Sequence, residues 1–284
     1  MTSSLRGLSV VDVKVECGLT GYHSGEVGGM VPETFRIMRS LLNRIDNVDN
    51  GECHPEFQSG LPAWKAKEAE VLAEAQGPAL YEKFALHPGV KMICQGSLEE
   101  LYLNSSWRPN LAITGASGIP DIKKAGNVVR PATELRLSMR ISPLVDCTFV
   151  GNKLVEMMTT NVPYGAKVTA KIVSGGNGWC QREPEEWLTK AINKAGKAFF
   201  GKPAASYGEG GSIPFLNELE GVYPQTQIIA FGVGGPYSNA HAPDEMLDLP
   251  YAKKLTCAIA HIIGACSVKP KKPDCASSCK KGCC

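Results

Sequence analysis

From residue 11 to residue 17 the chain alternates strictly. Val11, Val13, Val15 and Cys17 fall on one side and Asp12, Lys14 and Glu16 on the other. A period of two predicts a half-buried strand. Pro32, suited to the first turn of a helix, precedes Phe35, Met38, Leu41, Leu42 and Ile45 at helical spacing. Residues 50 to 105 interrupt the pattern and read as an insertion. Within it, Lys65 to Gln76 is rich in Ala, Glu and Lys and predicts a helix. Leu111 to Thr114 predicts a short strand. Leu135, Leu137, Met139 and Ile141 alternate with Arg136, Ser138 and Arg140, a further strand. Leu144 to Met158 suits a helix, and Ala166, Val168, Ala170 and Ile172 alternate with Lys167, Thr169 and Lys171. The order strand, helix, strand, strand, helix, strand is the split βαβ, ferredoxin-like pattern. It predicts an antiparallel sheet with two helices on one face, closed by the turn-rich Gly175-Gly176-Asn177-Gly178.

A different pattern follows. Pro184 to Phe200 is amphipathic, with Trp187, Leu188, Ile192, Ala195 and Phe199 on one side. Ile228 to Phe231 is continuously apolar, as in a strand covered on both faces. Tyr251 to Ala265 predicts a long apolar helix. This is α/β material with too few strands for a complete doubly wound sheet. The expected fold class is therefore α/β: an α+β ferredoxin-like domain followed by the C-terminal part of an α/β domain. The expected boundaries are a linker over 1–7, the first domain over 8–174 with its helical insertion at about 50–105, the second over 175–267, and a Lys/Cys-rich tail without stable structure over 268–284.

Composition narrows the function classes. Thirty basic and 28 acidic residues give a net charge of +2, so no nucleic-acid partner is expected. No apolar run is long enough to span a membrane, and no secretory leader is visible at Met1 to Gly7. Of the 11 cysteines, seven are scattered singly through apolar contexts. They read as free thiols of a cytoplasmic protein. The tail Lys269 to Cys284 combines five lysines with Cys275, Cys279, Cys283 and Cys284. Its spacing fits no tight zinc finger, and a terminal Cys-Cys is not a prenylation box, so membrane attachment is not expected.

The candidate chemistry lies in glycine-rich segments. Gly208-Glu209-Gly210-Gly211-Ser212-Ile213-Pro214 offers backbone N–H groups free of side-chain obstruction. It reads either as an anion-holding loop or as a tight turn before a helix from Ile213 to Leu219. Pro214 occupies the last position of a possible Gly-x-Ser-x-Gly elbow, so Ser212 is not a nucleophile candidate. His241 closes Gly232-Val233-Gly234-Gly235-Pro236-Tyr237-Ser238-Asn239-Ala240-His241 and reads as a metal ligand or as a loop residue. His23 lies in Gly21-Tyr22-His23-Ser24-Gly25. His54 and His87, each before a proline, read as loop residues, and His261 as a structural one.

Those three glycine-rich segments, with Trp107-Arg108-Pro109 and Asn127-Val128-Val129-Arg130-Pro131, resemble the M20 metallopeptidase family over residues 5 to 267. The resemblance implies that the ferredoxin-like piece is a lid and dimerisation domain inserted in a zinc-peptidase-like catalytic domain. It implies hydrolysis of small peptides at a centre of two divalent ions, zinc or manganese, with His241 as one ligand. Glu209, Gly210, Gly211 and Ser212 would bind substrate. Arg140 would anchor a substrate carboxylate, with Asn127 as a further polar contact, and His23 would stabilise the transition state across a homodimer. The other metal ligands and the general base would precede the lid, in a half this chain is expected to lack. The chain by itself is then expected to be inactive. The alternative is a non-catalytic dimerising relative of such an enzyme, or a gene-model fragment.

Overall fold

The computed structural model describes residues 1–82, 84–93, 96–235, 238–240 and 242–267. Its strands are β1 (Thr2–Leu5), β2 (Gly7–Glu16), β3 (Tyr22–His23), β4 (Asn110–Ser117), β5 (Val128–Val129), β6 (Ala132–Ile141), β7 (Lys167–Gly176), β8 (Trp179–Cys180) and β9 (Tyr207–Glu209). Its longer helices are α1 (Thr34–Leu42), α2 (Ala63–Gln76), α3 (Leu98–Ser106), α4 (Cys147–Thr159), α5 (Glu186–Phe200), α6 (Pro214–Val222) and α7 (Leu249–Cys266). The residues form two compact units, Met1–Arg182 with Ala205–Ala230, and Glu183–Ala204 with the chain from Phe231. This division cuts across the expected boundary at 174–175, because β9 returns to pair with β1.

The main sheet of the first unit has the order β4-β6-β2-β7, and every pair is antiparallel. This is the ferredoxin-like order that the alternation predicts. Register follows from the hydrophobic face: Val11 opposes Leu137, and Val13 opposes Leu135. A slip of one residue would turn every one of these side chains to the polar face. The apolar face buries Val11, Val13, Val15, Leu135, Leu137, Met139 and Ile141 against Ile37, Met38 and Leu41 of α1 and Val150, Leu154 and Met158 of α4. The opposite face is charged. Arg136 grips Asp12 there through Nε at 2.7 Å and Nη2 at 2.8 Å.

The helix α4 shows why its ends fall where they do. The Asp146 carboxylate accepts from the N–H of Phe149 at 2.8 Å, capping the N-terminus. At the other end Arg44 donates to the carbonyls of Met157, Thr160 and Asn161 at 2.8, 2.6 and 2.7 Å, satisfying acceptors that the helix leaves open.

Residues 1–7 are not the expected linker. β1 is the middle strand of a second sheet, antiparallel to β8 and parallel to β9. The inserted helices α2 and α3 join through Ala69, Leu72, Ala73, Tyr102, Leu103 and Trp107, with Cys180 of β8 against them. The expected strand at 228–231 is also corrected. Ala230 makes a single bridge to Thr2, and no extended ladder forms. β8 already pairs with Ser4 and Leu5 on one edge of β1 and β9 holds the other, so this apolar run meets β1 only at Thr2, where the Thr2 N–H donates to the Ala230 carbonyl at 3.0 Å.

In the second unit α5 and α7 form a helical pair. Leu188, Ile192 and Ala195 are buried on one helix, and Leu255, Ala258 and Ile262 on the other. His261 meets the edge of Phe199 at 6.4 Å between ring centres, a packing role for this histidine. No described helix is long and apolar enough to cross a membrane.

Candidate functional site

The ten residues of β2 separate two groups of candidate residues. At its start the chain passes from β1 to β2 through Arg6. Leu5 opposes Glu209, and the Arg6 N–H donates to the Glu209 carbonyl at 3.2 Å. Leu8 opposes Arg140 on the other side. Arg140, Glu209 and Gly210 therefore gather around Arg6.

The Arg6 side chain is mostly buried. Its Nη1 donates to the carbonyls of Asn104 and Arg108, both at 3.1 Å, at the C-terminal end of α3. Its Nε is buried without a partner. Its Nη2 lies against Gly210, where an added Cβ would stand 2.9 Å from Nη2 and 2.8 Å from the Ser105 carbonyl oxygen. Burial first, and the positive charge of Arg140 second, lower the Arg6 pKa to about 10. It remains cationic at neutral pH. Among the described residues neither Arg6 nor Arg140 makes an ion pair. The Glu209 carboxylate is turned elsewhere and accepts from the Tyr207 hydroxyl. Gly211 faces open space, and Ser212 is half-buried.

His23 and Asn127 meet at the far end. His23 opposes Val128 in the small β3–β5 pair, and the Ser24 N–H donates to the Asn127 carbonyl at 2.9 Å. The His23 Nδ1 accepts from the Gly25 N–H at 3.1 Å, which leaves Nε2 as the free edge of the ring. Both His23 and Asn127 are exposed. At ~3.3 Å per residue, the stretch of β2 from Leu8 to Glu16 separates the two groups by about 26 Å. One chain therefore does not bring His23 and Asn127 to Arg140.

His241 lies outside the described residues, as do the tail cysteines 275 to 284. Among the described residues no three His, Cys, Asp or Glu side chains gather where they could hold a metal ion. The expected two-metal centre thus has no fitting ligand set among them. Asn239 and Asp244 are both at positive φ, and the Met246 N–H donates to the Ser238 carbonyl at 2.9 Å. Sequence reasoning missed Arg6 and Tyr207. Neither lies in a periodic run, and the partners of Arg6 are remote in sequence.

No protein-family model matches the chain. It is 25% identical over 261 residues to a cysteinylglycine-S-conjugate dipeptidase of Corynebacterium striatum, covering 87% of this chain and 52% of that protein. Among solved structures it is similar to the dipeptidase Dug1p of Saccharomyces cerevisiae, with a TM-score of 0.68, 20% identity, and coverage of 95% of this chain and 56% of that one. It is also similar to an M20 family metallo-carboxypeptidase of Sulfolobus solfataricus, with a TM-score of 0.65, 17% identity, and coverage of 92% and 59%. The chain resembles the M20 peptidases and has their fold. It spans about half the length of these relatives.

Proposed function

We propose that this chain is the substrate-holding and dimerising portion of an M20-type dipeptidase, a hydrolase of small peptides. The observation that carries this reading is the gathering of Arg140, Glu209 and Gly210 around Arg6, with no carboxylate among the described residues paired to either guanidinium. A guanidinium open to solvent beside a glycine-lined turn suits the carboxylate of a short peptide, which it meets through two parallel hydrogen bonds. Ser212 and Gly211 would border the same substrate. The two divalent ions implied by the resemblance would need ligands beyond the described residues, with His241 as one. The six described cysteines 17, 53, 147, 180, 257 and 266 are free thiols, which suits the cytoplasm.

Cysteinylglycine, the dipeptide core of the S-conjugates for which the Corynebacterium relative is named, serves as the probe. Calorimetric titration should show binding of the dipeptide acid by the unsubstituted chain and weaker, still measurable binding of its C-terminal amide. Arg140→Ala should weaken the acid at least tenfold, since a hydrogen bond to a charged group contributes roughly 1.5–3 kcal/mol. Equal binding of acid and amide would refute the reading.

The placement of His23 and Asn127 supports assembly as a homodimer. They share one end of the sheet, about 26 Å from Arg140 by strand length, so they act on peptide only if a second copy presents them. The edge strand β4 is exposed from Ala112 to Ser117, a row of backbone groups open to pairing. Light scattering should give a mass near twice 30.4 kDa. A monomeric mass at micromolar concentration would remove the role of His23 in trans. A non-catalytic dimerising relative remains the second reading, and the same exposed edge favours it.

A further inference from the structure

We propose that Arg6 is a positioning residue for anion binding: its buried, uncompensated charge draws a peptide carboxylate onto Arg140 without touching it. The inference rests on the reading of Arg140 as the carboxylate anchor.

Arg6 itself is closed to a ligand. Nε is buried, Nη1 is held by two carbonyls, and Nη2 lies against the backbone at Gly210. If Arg6 only tied α3 to β1, a neutral donor would serve. A buried cation instead carries a desolvation penalty that neutral groups avoid. The carbonyls at the end of α3 offset part of it as the negative end of a helix dipole. Among the described residues no carboxylate completes the compensation, and the nearby charge that acts on it most is Arg140, of like sign. Two guanidinium groups so placed repel each other while the site is empty. An incoming carboxylate relieves that repulsion, so the pair binds anions more strongly than Arg140 alone. At an effective dielectric near 20, a unit charge acting across roughly 10 Å changes the affinity of an anion by about tenfold. The Arg6 N–H on the Glu209 carbonyl also fixes the turn that borders the same seat.

The test titrates cysteinylglycine and its C-terminal amide into the full chain and into Arg6→Gln, Arg6→Lys and Arg140→Ala, with thermal melts confirming folding. Glutamine keeps a donor for the carbonyls and removes the charge. Lysine keeps the charge and loses the fork. Arg6→Gln should weaken the acid about tenfold and leave the amide unchanged, while Arg6→Lys should stay within about threefold of the unsubstituted chain. A structural role alone would weaken acid and amide together and would not be rescued by lysine; that result overturns the proposal, as does unchanged acid binding in Arg6→Gln. Should Arg6→Gln not fold, Arg6→Lys decides. Near-normal acid binding supports the proposal, and a loss as large as that of Arg140→Ala overturns it. Failure of the unsubstituted chain to prefer acid over amide, or of Arg140→Ala to weaken the acid, refutes the anchor itself and takes this inference with it. Failure of the Arg6 variants alone to behave in this way overturns the inference and leaves the anchor standing.

Discussion

Lys65→Met is expected to lower the free energy of unfolding by about 3–5 kcal/mol, read from urea denaturation at neutral pH. Lys65 is only 4% exposed and its partner Glu68 13%. The ammonium meets the Glu68 carboxylate at 2.6 Å and the Ser3 hydroxyl at 2.6 Å, and it lies 5.2 Å from the Trp64 ring centre and 5.9 Å from that of Trp107. Methionine fills the same space but leaves a carboxylate in a site nearly closed to water. The cost lies in that orphaned charge, so the double change Lys65→Met with Glu68→Met should recover most of the loss, to within about 1 kcal/mol of the unsubstituted chain. No recovery would show that packing, not charge, holds α2 onto β1. The pH dependence has a definite sign. Burial lowers the Lys65 pKa below its usual 10.5, with Glu68 opposing. The unfolded chain therefore holds that proton more tightly than the folded one. The contribution of Lys65 to the stability of the unsubstituted chain should therefore rise as pH climbs from the lowered value toward 10.5.

The main sheet is legible in the sequence because each of its strands is long enough for alternation to show. Val11 to Cys17 and Leu135 to Ile141 each reveal which face is buried, and burial of that face fixes the register. The second sheet is not legible in the same way. β1, β8 and β9 hold four, two and three residues, too few for any period to emerge, so residues 1–7 read as a linker. Residues 228–231 mislead in the opposite sense, since an apolar run extends into a strand only where a neighbour offers a long open edge, and β1 leaves only Thr2 to it. The candidate site divides along the same line. Arg140 is visible because it stands on the polar side of an alternating strand. Arg6 acquires its meaning from Asn104, Arg108, Glu209 and Gly210, contacts 98 or more residues distant that no local pattern encodes. The nearness of His23 to Asn127 likewise comes from the pairing of two short segments a hundred residues apart.

Gly7→Ala should destabilise the chain by about 2–4 kcal/mol, at the upper end for adding one methyl to a packed site. Gly7 opposes Ile141 where the chain leaves β1 for β2. An added Cβ would stand 2.6 Å from the Ile141 Cγ1, 2.8 Å from the Gly178 nitrogen and 2.9 Å from the Gly176 oxygen. The isoleucine end can turn, but the two backbone atoms belong to the segment running from β7 to β8 and yield only if that segment moves. Gly60→Ala supplies the comparison, because nothing lies within 4 Å of its added Cβ. It should change stability by less than about 1 kcal/mol, with stabilisation the expected direction. Equal melting behaviour in the two variants would show that the junction is loose. The functional consequence follows from position. Gly7 lies between Arg6 and Leu8, and Leu8 is the partner of Arg140. A shift at Gly7 changes the spacing of the two guanidinium groups directly, so the folded fraction of Gly7→Ala should also bind dipeptide acid more weakly, while Gly60→Ala binds as the unsubstituted chain does. Intact affinity in a destabilised Gly7→Ala would mean that the junction supports the fold without setting the anion seat.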